Sequence, residues 1–384
     1  MTLPAQALPH PASRRLFFLD WLRIAAFAVL VLYHVGMYYV RWDFHVKSPF
    51  SGPSLEPWMK LSEPWRLSLL FMVSGAATCQ MLRAGVDVAL VRRRSRQLLL
   101  PLLCGVILIV PPQSYFQVVQ QYAYRGSYID FLRLYFGHFQ GFCHADRCLT
   151  LPTWNHLWFL PYLWSYTMML CILLALLPRA LEVMAGIARE ALGGVALVML
   201  PIAVLFSLRA ALLNHYPSTH ALWGDWFNHA TYFGMFLIGA MFATPEPLWE
   251  RLAALRWPAL VAALISWFVL AFLSPGGLAE HAVVATNQWT ALIAAFGFAR
   301  QHLNFDHAWR ARLTEAVFPV YILHQTILIA VSQFLLPLGW KPSVEGPVLV
   351  VATFALSYAG YEMLRRIHSL RPWFGMARAP SYVA

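Results

Sequence analysis

The chain reads as ten apolar runs separated by short polar segments, near 16–40, 65–82, 98–116, 155–177, 194–213, 226–243, 257–273, 282–299, 314–338 and 347–364. A spanning helix needs about 17–25 predominantly apolar residues, and only a helix or a closed barrel satisfies every backbone group inside lipid. The pattern therefore predicts an all-α membrane protein, a polytopic bundle of about ten transmembrane helices. One membrane domain over 16–372 is expected between short tails, 1–15 and 373–384. The first run follows Arg14 and Arg15 as a signal peptide would, yet it is too long for one. No small-residue cleavage site follows Tyr39, so the run is expected to stay in the mature protein. No fixed-period repeat and no low-complexity tract interrupts the series.

Composition sharpens this picture. The chain is 60% hydrophobic and 12% charged, with a mean hydropathy of +0.57; a soluble domain carries about 25% charged residues. The net charge of +11 would suit nucleic acid, but no basic face with interleaved aromatics accompanies it. The basic residues instead cluster between the apolar runs. With the N-terminus inside, eighteen of the 28 Lys and Arg fall on the cytoplasmic side and seven outside. Arg23, Arg66 and Arg209 lie within spans. The positive-inside rule thus predicts that both termini are cytoplasmic.

Ionisable residues inside apolar runs point to function, because burying them in hydrocarbon is costly. Arg23 and His34 lie eleven residues apart in the first run. Eleven helical residues rise about 16 Å and rotate about 1100°, close to three full turns. Both side chains then share one face, one near each end of the helix. Asp20, three residues before Arg23, is placed to pair with it. His156 and His229 begin the fourth and sixth spans, and His324 lies near the middle of the ninth. Each alone reads most simply as a core hydrogen-bonding residue; together they suggest a hydrated cavity in the outer half. Arg92, Arg93, Arg94 and Arg96 immediately precede the third span. Guanidiniums suit phosphate, and the same cluster equally serves as a topology signal.

Cys79, Cys104 and Cys171 lie in apolar runs as small core residues. Cys143 and Cys148 lie in a long outer segment, where a disulfide, free thiols or a metal site with His138, His144 and Asp146 are the alternatives. Paired CxxC or HxxxH spacing is missing, so no metal is expected. The segment 117–153 is dense in aromatics, which read either as sugar-stacking faces or as an interfacial belt. With no Walker loop and no GxGxxG, nucleotide hydrolysis and dinucleotide redox chemistry lack support.

The ordered set of motifs resembles the integral-membrane acyltransferase family 3. FLDWLR followed by Arg23 and His34, RRRSR with Arg93 and Arg96, FMVSGAATCQML with Ser74, HLWFLPYL with His156, and FPVYILHQTI with His324 carry the resemblance. The ending YEMLRRIHSLRPWFG, with Glu362, looks closest to the branch of glucan biosynthesis protein C. Trp21 after Asp20 and Gln325–Thr326 after His324 depart from the commoner pattern. The resemblance implies transfer of a succinyl or acetyl group from cytoplasmic acyl-CoA to a periplasmic or cell-surface glucan, in the bacterial inner membrane. His34 and His324 would be catalytic, and Arg23, Arg93 and Arg96 would hold the acyl-CoA phosphates. Asp20, Ser74, His156 and Glu362 would support them. A proton-coupled transporter or flippase of glycans or small solutes is the alternative class, since intramembrane His and Asp also build proton relays. No internal symmetry of the transporter kind accompanies them.

Overall fold

A computed structural model describes residues 16–82, 85–144, 147–243 and 246–377. The expected tail 1–15, most of the tail 373–384, Arg83 and Asp146 lie outside these residues. Fourteen α-helices are described. They are α1 (Phe17–Tyr39), α2 (Glu56–Met59), α3 (Arg66–Leu82), α4 (Val88–Cys104), α5 (Pro111–Gln121), α6 (Tyr128–Phe136) and α7 (Phe159–Leu176). There follow α8 (Ala180–Ala191), α9 (Ala196–Leu212), α10 (Trp226–Phe242), α11 (Glu246–Phe268), α12 (Gly277–His302), α13 (Ala308–Leu335) and α14 (Pro342–Leu364).

The all-helical architecture matches the hydropathy pattern, but the count of spans differs. Among the described residues, six segments are long and apolar enough to cross a membrane, or up to eight if each of two bent pairs is one span. The expected run 98–116 is one of these pairs: α4 with its π-helical continuation to Ile109 meets α5 at 43°. Pro111 opens α5 and cannot donate a backbone hydrogen bond across the join. The run 194–213 is α9, the second arm of the other pair, which meets α8 at 109° across Gly193 and Gly194. Helices α3 and α10, 17 residues each, rise only about 25 Å. Hydropathy located the apolar stretches but carries no record of how each is bent or how far it extends.

The basic cluster also sits differently. Helix α4 starts at Val88, capped by Asp87, whose side chain accepts from the Leu90 N–H. Arg92 to Arg96 therefore lie inside α4 rather than before it. At the other end of the chain, residues 373–377 pack down instead of starting a free tail. Phe374 and Met376 are buried, and Arg371 donates to Glu315 at 2.6 Å.

Two packing devices set the positions of the polar side chains. Helices α1 and α13 run parallel and in register, so Asp20 meets Arg310, Phe27 meets Tyr321 and His34 meets His324. Helices α3 and α10 cross at glycine. A Cβ on Gly75 would stand 1.9 Å from the Phe236 carbonyl oxygen, and one on Gly239 would stand 1.9 Å from that of Met72. Small residues are what allow such a close backbone approach inside a membrane protein.

The 117–153 segment forms its own small core. Phe131 and Tyr135 are fully buried, and Tyr122, Tyr124, Tyr128 and Phe142 pack around them. Most of its rings thus face one another; Phe136 and Phe139 are the exposed ones. Cys143 and Cys148 form a disulfide across a two-stranded antiparallel pair, the first of the three alternatives for these thiols.

Gly239→Ala should lower the thermal unfolding midpoint of the detergent-solubilised protein, because overpacking costs about 1–3 kcal/mol. Gly234→Ala, on the same helix with nothing near its would-be Cβ, should leave the midpoint unchanged or raise it. Equal behaviour of the two variants would show that the crossing does not limit stability.

Candidate functional site

The in-register pair of α1 and α13 brings two of the sequence-selected histidines into direct contact. His34 Nδ1 lies 2.8 Å from His324 Nε2, with the rings nearly coplanar. On the far side, His324 Nδ1 is 2.7 Å from the Tyr321 carbonyl oxygen. A carbonyl can only accept, so Nδ1 of His324 carries the proton and its Nε2, in the neutral ring, holds a lone pair. His34 must then donate through Nδ1–H. Its Nε2 is left as an unengaged lone pair at the wall of a cavity. One backbone carbonyl, acting through two rings, fixes the tautomer of the outermost nitrogen.

His156 is close by but is held differently. It lies in the short 3-10 turn Asn155–Trp158 ahead of α7, with its ring perpendicular to His324 at 5.1 Å. Its Nε2 donates to the Ile322 carbonyl at 3.1 Å, and its Nδ1 faces the Gln113 amide at 3.4 Å. Both nitrogens are used, which makes His156 a positioning residue. Gln113 is the hub: Asn155 and Gln325 donate to its Oε1, and its Nε2 donates to the Thr326 hydroxyl. Gln325 and Thr326, which depart from the family pattern after His324, tie α13 to α5 through this amide. The Tyr135 hydroxyl grips Thr153, so the aromatic core of the 117–153 segment fixes the approach to His156. His229 is remote from this network. Its ring stacks on Tyr162 and is bonded to the Tyr166 hydroxyl and the Leu222 carbonyl.

His34 and His156 line a cavity of about 1020 Å³. Polar side chains dominate one side, among them Lys60, Glu63, Arg66, Arg209 and Glu280; Tyr33, Trp154, Trp158 and Tyr232 supply flat aromatic walls. His220, on the loop between α9 and α10, stacks on Trp158 at 4.2 Å. Burial holds its imidazole down at about 4, so it is neutral near pH 7.

Arg23 lines a second cavity of about 630 Å³, with Ser74, Arg94, Arg312, Glu315 and Arg365. Phe159 lines both cavities. Tyr321 packs against Phe159 and Phe27, with centroids 6.2 and 5.4 Å apart. These three rings form the partition between the two spaces. Along α1 the side chains pass from one space to the other: Arg23 and Phe27, then Leu30, Tyr33 and His34.

Not every selected residue lands where its spacing suggested. Asp20, expected to pair with Arg23, interacts electrostatically with it and accepts a hydrogen bond from Arg310, a buried side chain that also bonds Asp306. Arg93 and Arg96 are exposed on α4, and Arg94 between them turns into the cavity. Glu362 accepts from Arg312 and Arg365 at that same end, so it stands apart from the histidine pair. Spacing alone missed Gln113 and Tyr321, and it did not single out Arg94 within its basic cluster. Gln113 follows a Pro-Pro break within an apolar run, the one sequence sign that could have marked it.

The arrangement offers a neutral base facing one cavity and a cluster of guanidiniums facing another, joined by one helix. No curated protein and no solved structure matches the chain. The family model of the acyltransferase domain Acyl_transf_3 matches residues 16–362, which takes in α1, the histidine pair, the lining of the first cavity and all of the second but Arg365 and residues 375–377. The chain belongs to this acyltransferase family, and the protein is a multi-pass membrane acyltransferase.

Proposed function

We propose that the enzyme moves a succinyl or acetyl group from cytoplasmic acyl-CoA to a hydroxyl of a periplasmic or cell-surface glucan. In this reading the chain lies in the bacterial inner membrane with both termini cytoplasmic, as the basic residues favour. The Arg23 cavity then opens to the cytoplasm and the His34 cavity to the outer side. The observation that carries the reading is the unengaged Nε2 of His34, held in its basic tautomer at the wall of a cavity roomy enough for a sugar unit.

The chemistry follows from that nitrogen. His34 Nε2 takes the proton of the acceptor hydroxyl as its oxygen attacks the thioester carbonyl carbon. Collapse of the tetrahedral intermediate breaks the C–S bond, and the departing thiolate takes the proton back from the imidazolium. The products are an ester and free CoA thiol. A positioned base is worth roughly 10²–10⁴-fold. His324 stabilises the imidazolium by accepting from Nδ1–H, as the third member of a nucleophile–base–orienter chain does.

Arg23 and Arg94 would hold the phosphates of the donor, with Arg312 and Arg365 near them and Arg93 and Arg96 at the exposed entrance. The eleven-residue step from Arg23 to His34, about 16 Å of helix rise, is the length over which an extended pantetheine arm would lie. That arm would have to pass the partition formed by Phe27, Phe159 and Tyr321.

His34→Ala should abolish acylation of extracted glucan, read by mass spectrometry, while membrane insertion stays normal. His324→Ala should lower transfer by about 10²-fold or more, since an unfixed tautomer leaves the base wrongly protonated part of the time. Near-normal acylation by either variant would remove the histidine pair from the mechanism. Arg94→Ala should raise the apparent KM for acyl-CoA by roughly tenfold or more, given the worth of a charge-assisted guanidinium–phosphate contact. Arg93→Ala should have the smaller effect, and the reverse order would show that the exposed arginines carry the donor.

A further inference from the structure

Arg66 has no assigned task, yet its position is unusual among the charged groups of the protein. It opens α3 and is only 8% exposed. Its Nε and Nη1 are buried without a hydrogen-bond partner. No ion pair joins it to a described residue, although Glu63 lies three residues earlier and Glu280 lines the same cavity. Its Cζ lies 3.3 Å from the centre of the Tyr33 ring, a separation that only face-to-face stacking allows. Stacking on an aromatic face stabilises the cation from above and leaves its N–H edge free in the plane.

A desolvated guanidinium with unused donors is a costly arrangement unless an anion completes it. The fork geometry of the free edge matches a carboxylate, which can accept two parallel N–H bonds. The formal charges on the cavity wall cancel, so the unused donors of Arg66 rather than a net positive field select the ligand. Lys60, Arg66 and Arg209 are offset there by Asp43, Glu63 and Glu280, and Lys60 is already engaged with the Leu270 carbonyl. Arg209 stacks near Phe227, with its Nε also buried and unpartnered. Because Tyr33 adjoins His34 in α1, the free edge of Arg66 and the basic nitrogen belong to the same wall.

We infer that Arg66, stacked on Tyr33 and backed by Arg209, is a carboxylate-binding subsite of the His34 cavity. It receives a substrate's single carboxylate while the reacting carbonyl or hydroxyl lies at His34. This rests on the reading of that cavity as the place of transfer. Two sources present the same chemistry: the distal carboxylate of a dicarboxylic acyl group arriving with the donor, or an acidic sugar on the acceptor.

Binding can be measured without turnover, on the detergent-solubilised full chain, by ligand-induced thermal stabilisation. The probes are monomethyl succinate against its neutral dimethyl ester, and glucuronate against glucose. At least one carboxylate should bind on the order of tenfold more tightly than its neutral counterpart, and Arg66→Gln should remove that preference. Arg66→Lys should retain part of it. Preference for monomethyl succinate alone places the carboxylate on the donor, and preference for glucuronate alone places it on the acceptor; either supports the subsite. Equal binding of charged and neutral probes by the unmodified protein overturns it without recourse to any variant. So does a preference that survives intact in Arg66→Gln. Because neither readout needs acyl transfer, loss of the subsite leaves the role of His34 standing, and failure of His34→Ala to stop acylation leaves the binding result interpretable.

Discussion

The register between α1 and α13 is the constraint on which the rest depends. Two parallel helices can slide past each other in steps of 1.5 Å per residue, each step turning the facing side chains by about 100°. Here the same offset of 290 residues joins both Asp20 to Arg310 and His34 to His324. The contacts lie fourteen residues apart on each helix, about 21 Å of rise. A slip that broke one would break the other, so the ion pair and the histidine pair select a single alignment together. Arg310 is nearly buried, and separating a buried cation from its carboxylates is strongly unfavourable. This ion pair therefore sits at the end opposite the nitrogen whose position it helps to fix.

Around this pair, apparently unrelated parts of the chain serve one purpose. The Gln113 amide accepts from Asn155 and Gln325, donates to Thr326 and faces His156, linking α5, the turn before α7 and α13. The aromatic core of the 117–153 segment then fixes Thr153 through the Tyr135 hydroxyl. Polar groups in a low-dielectric interior are favourable only when satisfied, and this network satisfies nearly every group that touches the histidines. The exception is the Nε2 of His34. Within the histidine network itself, that nitrogen is the one left open.

Much of this was legible in the sequence, and what was not has physical reasons. Apolar runs located the helices because hydropathy records composition, but it does not record bends, so the join of α4 and α5 read as one simple span and α9 read as a span without its partner α8. The Arg23 and His34 spacing correctly put the two residues toward different ends of one helix, since both lie on the same element. Contacts between elements were a different matter. Local spacing pointed Asp20 at Arg23, but it could not show the hydrogen bond from Arg310, almost three hundred residues away. Arg93 and Arg96 were legible as a motif, but which guanidinium in a run of four turns inward depends on the rotation of α4 against its neighbours. Arg66 and Arg209 were visible as ionisable residues inside apolar runs; that their donors lack partners could emerge only from three-dimensional packing.

The ring of Phe159 belongs to the walls of both cavities. A rigid partition would keep the two spaces independent, but a side chain shared by two walls cannot be. Any ligand that pushes this ring away enlarges its own space and shrinks the one behind it. Were both spaces occupied at once, any linkage through this one phenyl group would by thermodynamic necessity be reciprocal. A single aromatic residue, chosen by sequence only as part of an apolar run, thereby closes both spaces at once.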